Sequence, residues 1–238
     1  MSVSECDGVI LCGGQGKRLQ GVVQDVPKVM AEVDGRPFLD FILDHLKDQG
    51  ITRVIMCTGY KADVIETHYR GRDCGVNMTF SRESSPLGTG GALKNARGLI
   101  YSDPFFVFNG DSFLAADLQR FLNFHVKKKA EASMIVSQVN ERGDYGSLAL
   151  DDDQKVTAFH EKSDMDGLSI VNAGVYCFNQ SIFPRMPNAA QFSLEKEFLP
   201  QLTGNKFYGL ITSKPFVDIG TPDRYNYARH NLKRGRRA

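Results

Sequence analysis

The stretch Val9-Ile10-Leu11-Cys12-Gly13-Gly14-Gln15-Gly16-Lys17-Arg18-Leu19 decides how the rest of the chain is read. Its apolar start, Val9 to Leu11, runs straight into glycines, which marks a short buried strand followed by a tight loop. Gly13, Gly14 and Gly16 have no Cβ, so the loop can bring backbone N–H groups close to an anion. Lys17 and Arg18 put positive charge on its rim. Strand, glycine loop and cations in that order describe a phosphate cradle. An ordinary glycine-rich βα turn with solvated cations has the same local pattern, so the rest of the chain must arbitrate.

Three phosphate-binding patterns compete. A Walker loop, G-x-x-x-x-G-K-[ST], fails twice: Arg18 follows Gly16-Lys17, and Leu11 stands where the first glycine belongs. A dinucleotide fingerprint, G-x-G-x-x-G, finds Gly14 and Gly16 but meets Leu19 at its third glycine. What remains is G-G-x-G-x-R-L with a later lysine at Pro27-Lys28.

The chain has 238 residues, 42% hydrophobic and 24% charged, which suits one sizeable globular domain. A net charge of +1 gives no broad basic field for nucleic acid. The cluster Lys233, Arg234, Arg236, Arg237 reads as a solvated helix end. No apolar run approaches the roughly 18 residues of a membrane span, and the start of the chain lacks a signal-peptide core. Cys6, Cys12, Cys57, Cys74 and Cys177 are scattered and show no C-x-x-C, so they read as reduced thiols of a cytoplasmic protein. The histidines show no metal-ligand spacing.

Downstream, Pro37 opens a helix with Phe38, Phe41, Ile42 and Leu46 on one face, stopped by Gly50. Strands are expected at 53–58, 76–81 and 105–108, with helices over 62–69, 92–96 and 117–125. Strands alternating with helices argue for a largely parallel sheet covered on both faces. After Val139 the pattern breaks into short strands at 147–150, 156–160 and 175–178, a mixed and partly antiparallel section. We therefore expect a single α/β domain with a mixed, mostly parallel sheet, ending in a basic tail at 231–238.

Asn109-Gly110-Asp111 follows the most hydrophobic strand. Asn-Gly between apolar runs is a hairpin signal, but the next residues have helical spacing, so a βα turn fits better. Asp111 at a strand end is well placed to hold Mg²⁺ on a triphosphate. A second glycine-rich loop, Arg82 to Gly91, reads as one whose glycines admit a flat ligand. Thr221 and Pro222 make a helix start, whereas nothing structural demands Asp218, the candidate second metal ligand.

Taken together, the G-G-x-G-x-R-L loop, Pro27-Lys28, Leu87-Gly88-Thr89-Gly90-Gly91, Asp144-Tyr145-Gly146, Glu161-Lys162, Asn172-Ala173-Gly174-Val175-Tyr176 and Asp218-Ile219-Gly220-Thr221-Pro222 resemble, in order, the motifs of the sugar nucleotidyltransferases. Two departures stand out: Lys17 replaces the usual threonine before the arginine, and Val29 replaces the second proline of P-K-P. The resemblance implies a Rossmann-like fold whose residues 8–139 form a nucleotide-binding half and 140–230 a sugar-phosphate-binding half. It implies that a nucleoside triphosphate and a sugar 1-phosphate give a nucleoside-diphosphate sugar and pyrophosphate. It places the nucleotide on Leu11, Gly13, Gly14, Gly16, Lys17, Glu83, Gly88 and Thr89, with Gly88 against the base. It places the sugar phosphate on Tyr145, Gly146, Glu161, Lys162 and Asn172. Arg18 holds the leaving pyrophosphate, Lys28 neutralises the phosphates, Asp111 and Asp218 hold Mg²⁺, and Lys162 aligns the nucleophile. Since the attacking phosphate oxygen is already anionic, no general base is required, and alignment with charge neutralisation suffices.

Phe38-Leu39-Asp40, Pro86 to Gly91, Asn109 to Ser112 and Phe192 to Glu197 look most like the D-glycero-α-D-manno-heptose 1-phosphate guanylyltransferases, which act for bacterial surface polysaccharide. That likeness implies GTP and the heptose 1-phosphate. A uridylyl-, cytidylyl- or thymidylyltransferase on another sugar phosphate is the near alternative. A silent nucleotide-sugar sensor is a more distant one, since a sensor has no need of metal ligands; an NAD-dependent reductase is disfavoured by Leu19. The sequence is compatible with a homo-oligomer and implies no nucleic-acid or membrane partner.

Overall fold

In the computed structural model, which describes residues 1–19, 21–139, 146–160 and 169–233, the Val9–Leu11 run lies inside a wholly buried strand, β1 (Asp7–Leu11). The strands that follow are β2 (Glu32–Val33), β3 (Arg36–Pro37), β4 (Arg53–Thr58), β5 (Asn77–Arg82), β6 (Phe105–Asn109), β7 (Ser112–Leu114), β8 (Ala132–Val139), β9 (Ser147–Leu150), β10 (Val156–His160), β11 (Ser169–Phe178), β12 (Phe207–Thr212) and β13 (Phe216–Asp218). The α-helices are α1 (Phe38–Asp48), α2 (Ala62–Tyr69), α3 (Gly88–Asn95), α4 (Leu118–Lys127) and α5 (Pro222–Asn231).

Nine strands form one mixed sheet with the path β10-β9-β11-β6-β1-β4-β5, to which β8 adds on β11 and β12 on β8. The block β6-β1-β4-β5 is parallel; β11 runs antiparallel to β6, β8 and β9, and β12 is parallel to β8. The two halves read from the sequence thus share one sheet. β8, in the first half by sequence, pairs only with β11 and β12 among the described residues.

Both faces are covered. Ile10, Phe106 and Phe108 pack with α1, α4 and α5, while Val9, Leu11, Phe105 and Val107 pack with α3 and the short helical turns between 180 and 202. Strand side chains alternate between faces, so a strand covered on both reads as a continuous apolar run. That is why Val9–Leu11 and Phe105–Phe108 carry no polar alternation.

Three local expectations change. The helix expected at 92–96 starts at Gly88, so the second glycine run is its first turn and not a loop. Asn109-Gly110-Asp111 does not lead straight into a helix. It enters β7, which pairs antiparallel with β13, and α4 follows, capped by the Asp117 side chain on Arg120 N–H at 2.8 Å. The strand expected at 175–178 extends back to Ser169. The helix start at Thr221-Pro222 forms as expected, Thr221 accepting from Arg224 N–H. Among the described residues no helix is long and apolar enough to cross a membrane.

Candidate active site

The chain leaves β1 toward β4 and β5 on one side and returns to β6 on the other. At such a reversal the connections diverge beyond the carboxyl ends of the strands and leave a crevice. A cavity of about 630 Å³ lies there, lined by Leu11 to Lys17 after β1, Gly59 and Tyr60 after β4, Glu83 after β5, and Asn109 and Asp111 at the end of β6.

The first glycine loop is fastened at its base, Cys12 N–H to Cys57 O and Tyr60 N–H to Gly13 O, each at 3.0 Å. Its crown stays open: a Cβ on Gly14 would meet no atom within 4 Å. Gly16 has φ +60°, and a Cβ there would come within 2.9 Å of Lys28 Cβ. A side chain would be strained and would push away the lysine stem. Pro27 leads into a short 3₁₀ turn, Lys28–Met30, which sets Lys28 Nζ on Asp111 Oδ2.

Asp111 is fixed by the backbone on both sides. Gly110 N–H donates to Leu11 O at 2.9 Å, and Ile219 N–H donates to Asp111 O at 3.0 Å. The second contact, next to the Asp218–Ser112 pair of the β13–β7 ladder, brings the D-I-G-T-P motif alongside Asp111 across a sequence gap of a hundred residues and more. Asp218 does have a structural task, contrary to expectation: its Oδ1 accepts Gly220 N–H at 2.8 Å and faces Arg224 Nη1 at 3.4 Å. Arg18, on the 3₁₀ turn Lys17–Leu19, points the same way, its Nη2 lying 3.8 Å from where a Cβ on Gly220 would sit. The donor set fits Mg²⁺: two hard carboxylates from adjoining segments, with no third His, Cys, Asp or Glu among the described residues to close an all-protein cage. An ion so held completes its shell with phosphate and water oxygens.

Glu83 lies on the opposite wall. Its carboxylate stands beside the Gly13 and Gly59 backbones, where a Cβ on Gly13 would sit 2.7 Å from Oε1, and it accepts Leu87 N–H at 3.1 Å. Burial raises its carboxyl above the ordinary value against the lowering effect of that hydrogen bond. The cavity also contains a group that the sequence reading gave no role, Glu195, in the π-helical turn Leu194–Phe198. Thr89 Oγ1 donates to its Oε2 at 2.6 Å, and Asn109 Nδ2 and Tyr176 OH reach its Oε1 at 3.3 and 3.4 Å.

Most of the expected nucleotide and triphosphate residues therefore converge. Leu11, Gly13, Gly14, Gly16, Lys17, Lys28, Glu83, Gly88, Thr89 and Asp111 all line the cavity. Gly88 lines the cavity, and its lack of a Cβ is also required by the protein itself: at φ +71° a Cβ would lie 2.5 Å from Phe192 O. Asn172 is not among the lining residues; its Nδ2 donates to Tyr176 OH at 2.7 Å and its Oδ1 accepts Gly174 N–H at 2.9 Å. Gly146, at the mouth of β9, faces His160 O and not the cavity. Asp144, Tyr145, Glu161, Lys162 and the arginines of the tail lie outside the described residues.

The family model described as nucleotidyl transferase matches residues 7–235. The chain belongs to that nucleotidyl transferase family. It is 39% identical to the D-glycero-alpha-D-manno-heptose 1-phosphate guanylyltransferase of Aneurinibacillus thermoaerophilus over 95% of this chain and 98% of that one. It is 34% identical to the mannose-1-phosphate guanylyltransferase of Mycobacterium tuberculosis over 99% of this chain and 67% of that one. The crystal structure of HddC from Yersinia pseudotuberculosis complexed with GMP-PN superposes with a TM-score of 0.85 at 37% identity, covering 96% of this chain and all of that one. For a nucleotidyl transferase the sequence carried the motif residues well but gave no signal for Tyr60 or Gln191, which also line the cavity. Glu195 sat inside the quoted Phe192–Glu197 run, and only the fold brings it to the wall.

Proposed function

We propose that the protein transfers a guanylyl group from GTP to a sugar 1-phosphate, with D-glycero-α-D-manno-heptose 1-phosphate favoured, giving a GDP-sugar and pyrophosphate for bacterial surface polysaccharide. The observation that carries the choice of base is Glu83. A carboxylate only accepts hydrogen bonds, and guanine presents two adjacent donors on its pairing edge, N1–H and the N2 amine. Uracil and thymine present one donor between two carbonyls. The names of the relatives support the same base.

The glycine loop and Lys17 would cradle the triphosphate, Arg18 would hold the leaving pyrophosphate, and Lys28 would neutralise charge at the reacting phosphorus. Asp111 and Asp218 would hold Mg²⁺, whose contribution is to screen and orient the phosphate oxygens. Lys162 would align the sugar phosphate.

The test is pyrophosphate release from five nucleoside triphosphates crossed with α-D-mannose 1-phosphate, the heptose 1-phosphate and other sugar 1-phosphates. GTP should lead by orders of magnitude in kcat/KM, since a mismatched base leaves the Glu83 carboxylate with Leu87 N–H but without its full set of donors. A lead for UTP or CTP refutes the base and leaves the transferase standing. Asp111→Asn and Asp218→Asn should each slow turnover severely, with a double variant little worse than either alone.

A further inference from the structure

Arg224 stands third in α5, after the Thr221 cap, Pro222 and Asp223. A cation in the first turn works against the helix dipole, whose N-terminal end is positive. Helix stability therefore does not account for an arginine at this place. Its Nη1 faces Asp218 Oδ1 at 3.4 Å. That oxygen already accepts Gly220 N–H at 2.8 Å, and its carboxylate is the one read above as a ligand of Mg²⁺. The charge of Asp218 is thus shared between an ion and an arginine.

A second guanidinium points at the same spot. Arg18 leaves the glycine loop on the 3₁₀ turn Lys17–Leu19. A Cβ on Gly220 would have Asp218 Oδ1 at 2.8 Å, Arg18 Nη2 at 3.8 Å and Arg224 Nη1 at 3.9 Å. One carboxylate faces two guanidiniums there, and Mg²⁺ would add further positive charge. Gly220 keeps the space between them clear of a side chain. The spot adjoins the cavity at its triphosphate end: Ile219 N–H donates to Asp111 O at 3.0 Å, Lys17 directly precedes Arg18, and Asp111 and Lys17 both line the cavity. Glu83, which reads the base, is on the opposite wall. An excess of positive charge at that end suits an anion of high charge.

We propose that Arg224 joins Arg18 in binding the leaving pyrophosphate, which is the β- and γ-phosphates of the bound triphosphate. The role rests on the transferase reading and adds a residue to it. A guanidinium is a planar fork matched to phosphate oxygens, and two forks can engage both phosphates of one pyrophosphate. The contact with Asp218 holds the Arg224 fork beside the site before the anion arrives.

The experiment uses the full chain and measures pyrophosphate binding by calorimetry at saturating Mg²⁺, then the reverse reaction of pyrophosphate with GDP-α-D-mannose and other GDP-sugars. Arg224→Gln should weaken pyrophosphate binding about tenfold and raise its KM by a similar factor. KM for the GDP-sugar, which lacks those two phosphates, should stay within about twofold of wild type. Arg224→Lys keeps the charge, loses the fork and should fall between the two. It carries the test if thermal melting shows that Arg224→Gln does not fold. Unchanged pyrophosphate affinity overturns the assignment. So does a loss that further Mg²⁺ restores, which would make Arg224 a support for Asp218 alone. A wild type that forms GTP from no GDP-sugar refutes the transferase reading itself, and the calorimetry still decides whether Arg224 binds pyrophosphate.

Discussion

The two glycine runs of this chain, Gly13-Gly14-Gln15-Gly16 and Gly88-Thr89-Gly90-Gly91, look alike in sequence and are used in opposite ways. The first has an open crown over the cavity, and nothing in the protein approaches Gly14 within 4 Å of a notional Cβ. The second is the opening turn of α3, clamped under the 190–194 segment. Gly90 and Gly91 N–H both donate to Phe192 O, and a Cβ on Gly90 would sit 2.2 Å from the Phe192 ring. Glycine announces that something comes close. It does not say whether that is a ligand or another part of the chain.

Substituting these positions tests that contrast directly, and the largest effect belongs to the clamped run. Alanine is the better helix former by about 1 kcal/mol, so helix propensity alone predicts that Gly90→Ala stabilises. Overpacking against Phe192 should reverse the sign, with a net loss of about 3 kcal/mol or more. For a domain of this size that lowers Tm by about 6–12 °C in a thermal melt. Phe192→Leu in the same chain should recover part of it. A melt as high as wild type would show that the clamp yields freely.

Glu83, which reaches between the runs, should come next. Glu83→Gln turns one acceptor into a donor facing guanine, and kcat/KM for GTP should fall by about 30–100-fold, on the order of 2 kcal/mol. The pH dependence sharpens this. Below its pKa the carboxyl is protonated and presents O–H to the donors of the base, so activity falls on the acid side. Burial raises that pKa above the ordinary 4.5, so the acid limb of kcat/KM should lie above it. In Glu83→Gln this limb should vanish.

Gly14→Ala should leave the melting temperature within a degree or two of wild type, because no atom is displaced. It should still raise KM for the triphosphate about tenfold, since the added methyl stands where phosphate would approach. A change in stability with unaltered KM would place the phosphates elsewhere. Gly16→Ala should stand between Gly90→Ala and Gly14→Ala in its effect on stability, because alanine must adopt φ +60° and its Cβ would meet Lys28 Cβ at 2.9 Å. The backbone conformation alone costs about 1–2 kcal/mol, visible as a drop in Tm together with a weaker Lys28–Asp111 contact.

The fold was legible because its signals are local. An apolar run without alternation means a strand covered on both faces, and β1, β4 and β6 fall where those runs lie. Helical spacing placed α1, α2 and α4 to within a few residues. The glycine loop and Lys28 were legible for a similar reason, since both lie close together in the sequence and line the same cavity. Partners distant in sequence were not legible. Asp218 was read as having no structural duty, yet it bonds Gly220 and faces Arg224, and β13 carries it alongside Asp111 only because it pairs with β7. The start of α3 was missed because Gly88, Gly90 and Gly91 are poor helix formers, and the Phe192 segment that outweighs this lies a hundred residues on.

The sequence by itself determined the strand-loop-cation order, the alternation of strands and helices, and the chemical inventory of carboxylates and cations. Those depend on neighbours along the chain. The tertiary structure alone decided which glycines stay open and which are packed against the chain, that Asp218 comes alongside Asp111, and that Glu195 stands on the cavity wall with Thr89, Asn109 and Tyr176 around it. The physical reason is that a hydrogen bond or a steric clearance depends on distance in space. That distance is set by the register of β6, β11 and β13 and not by separation along the chain.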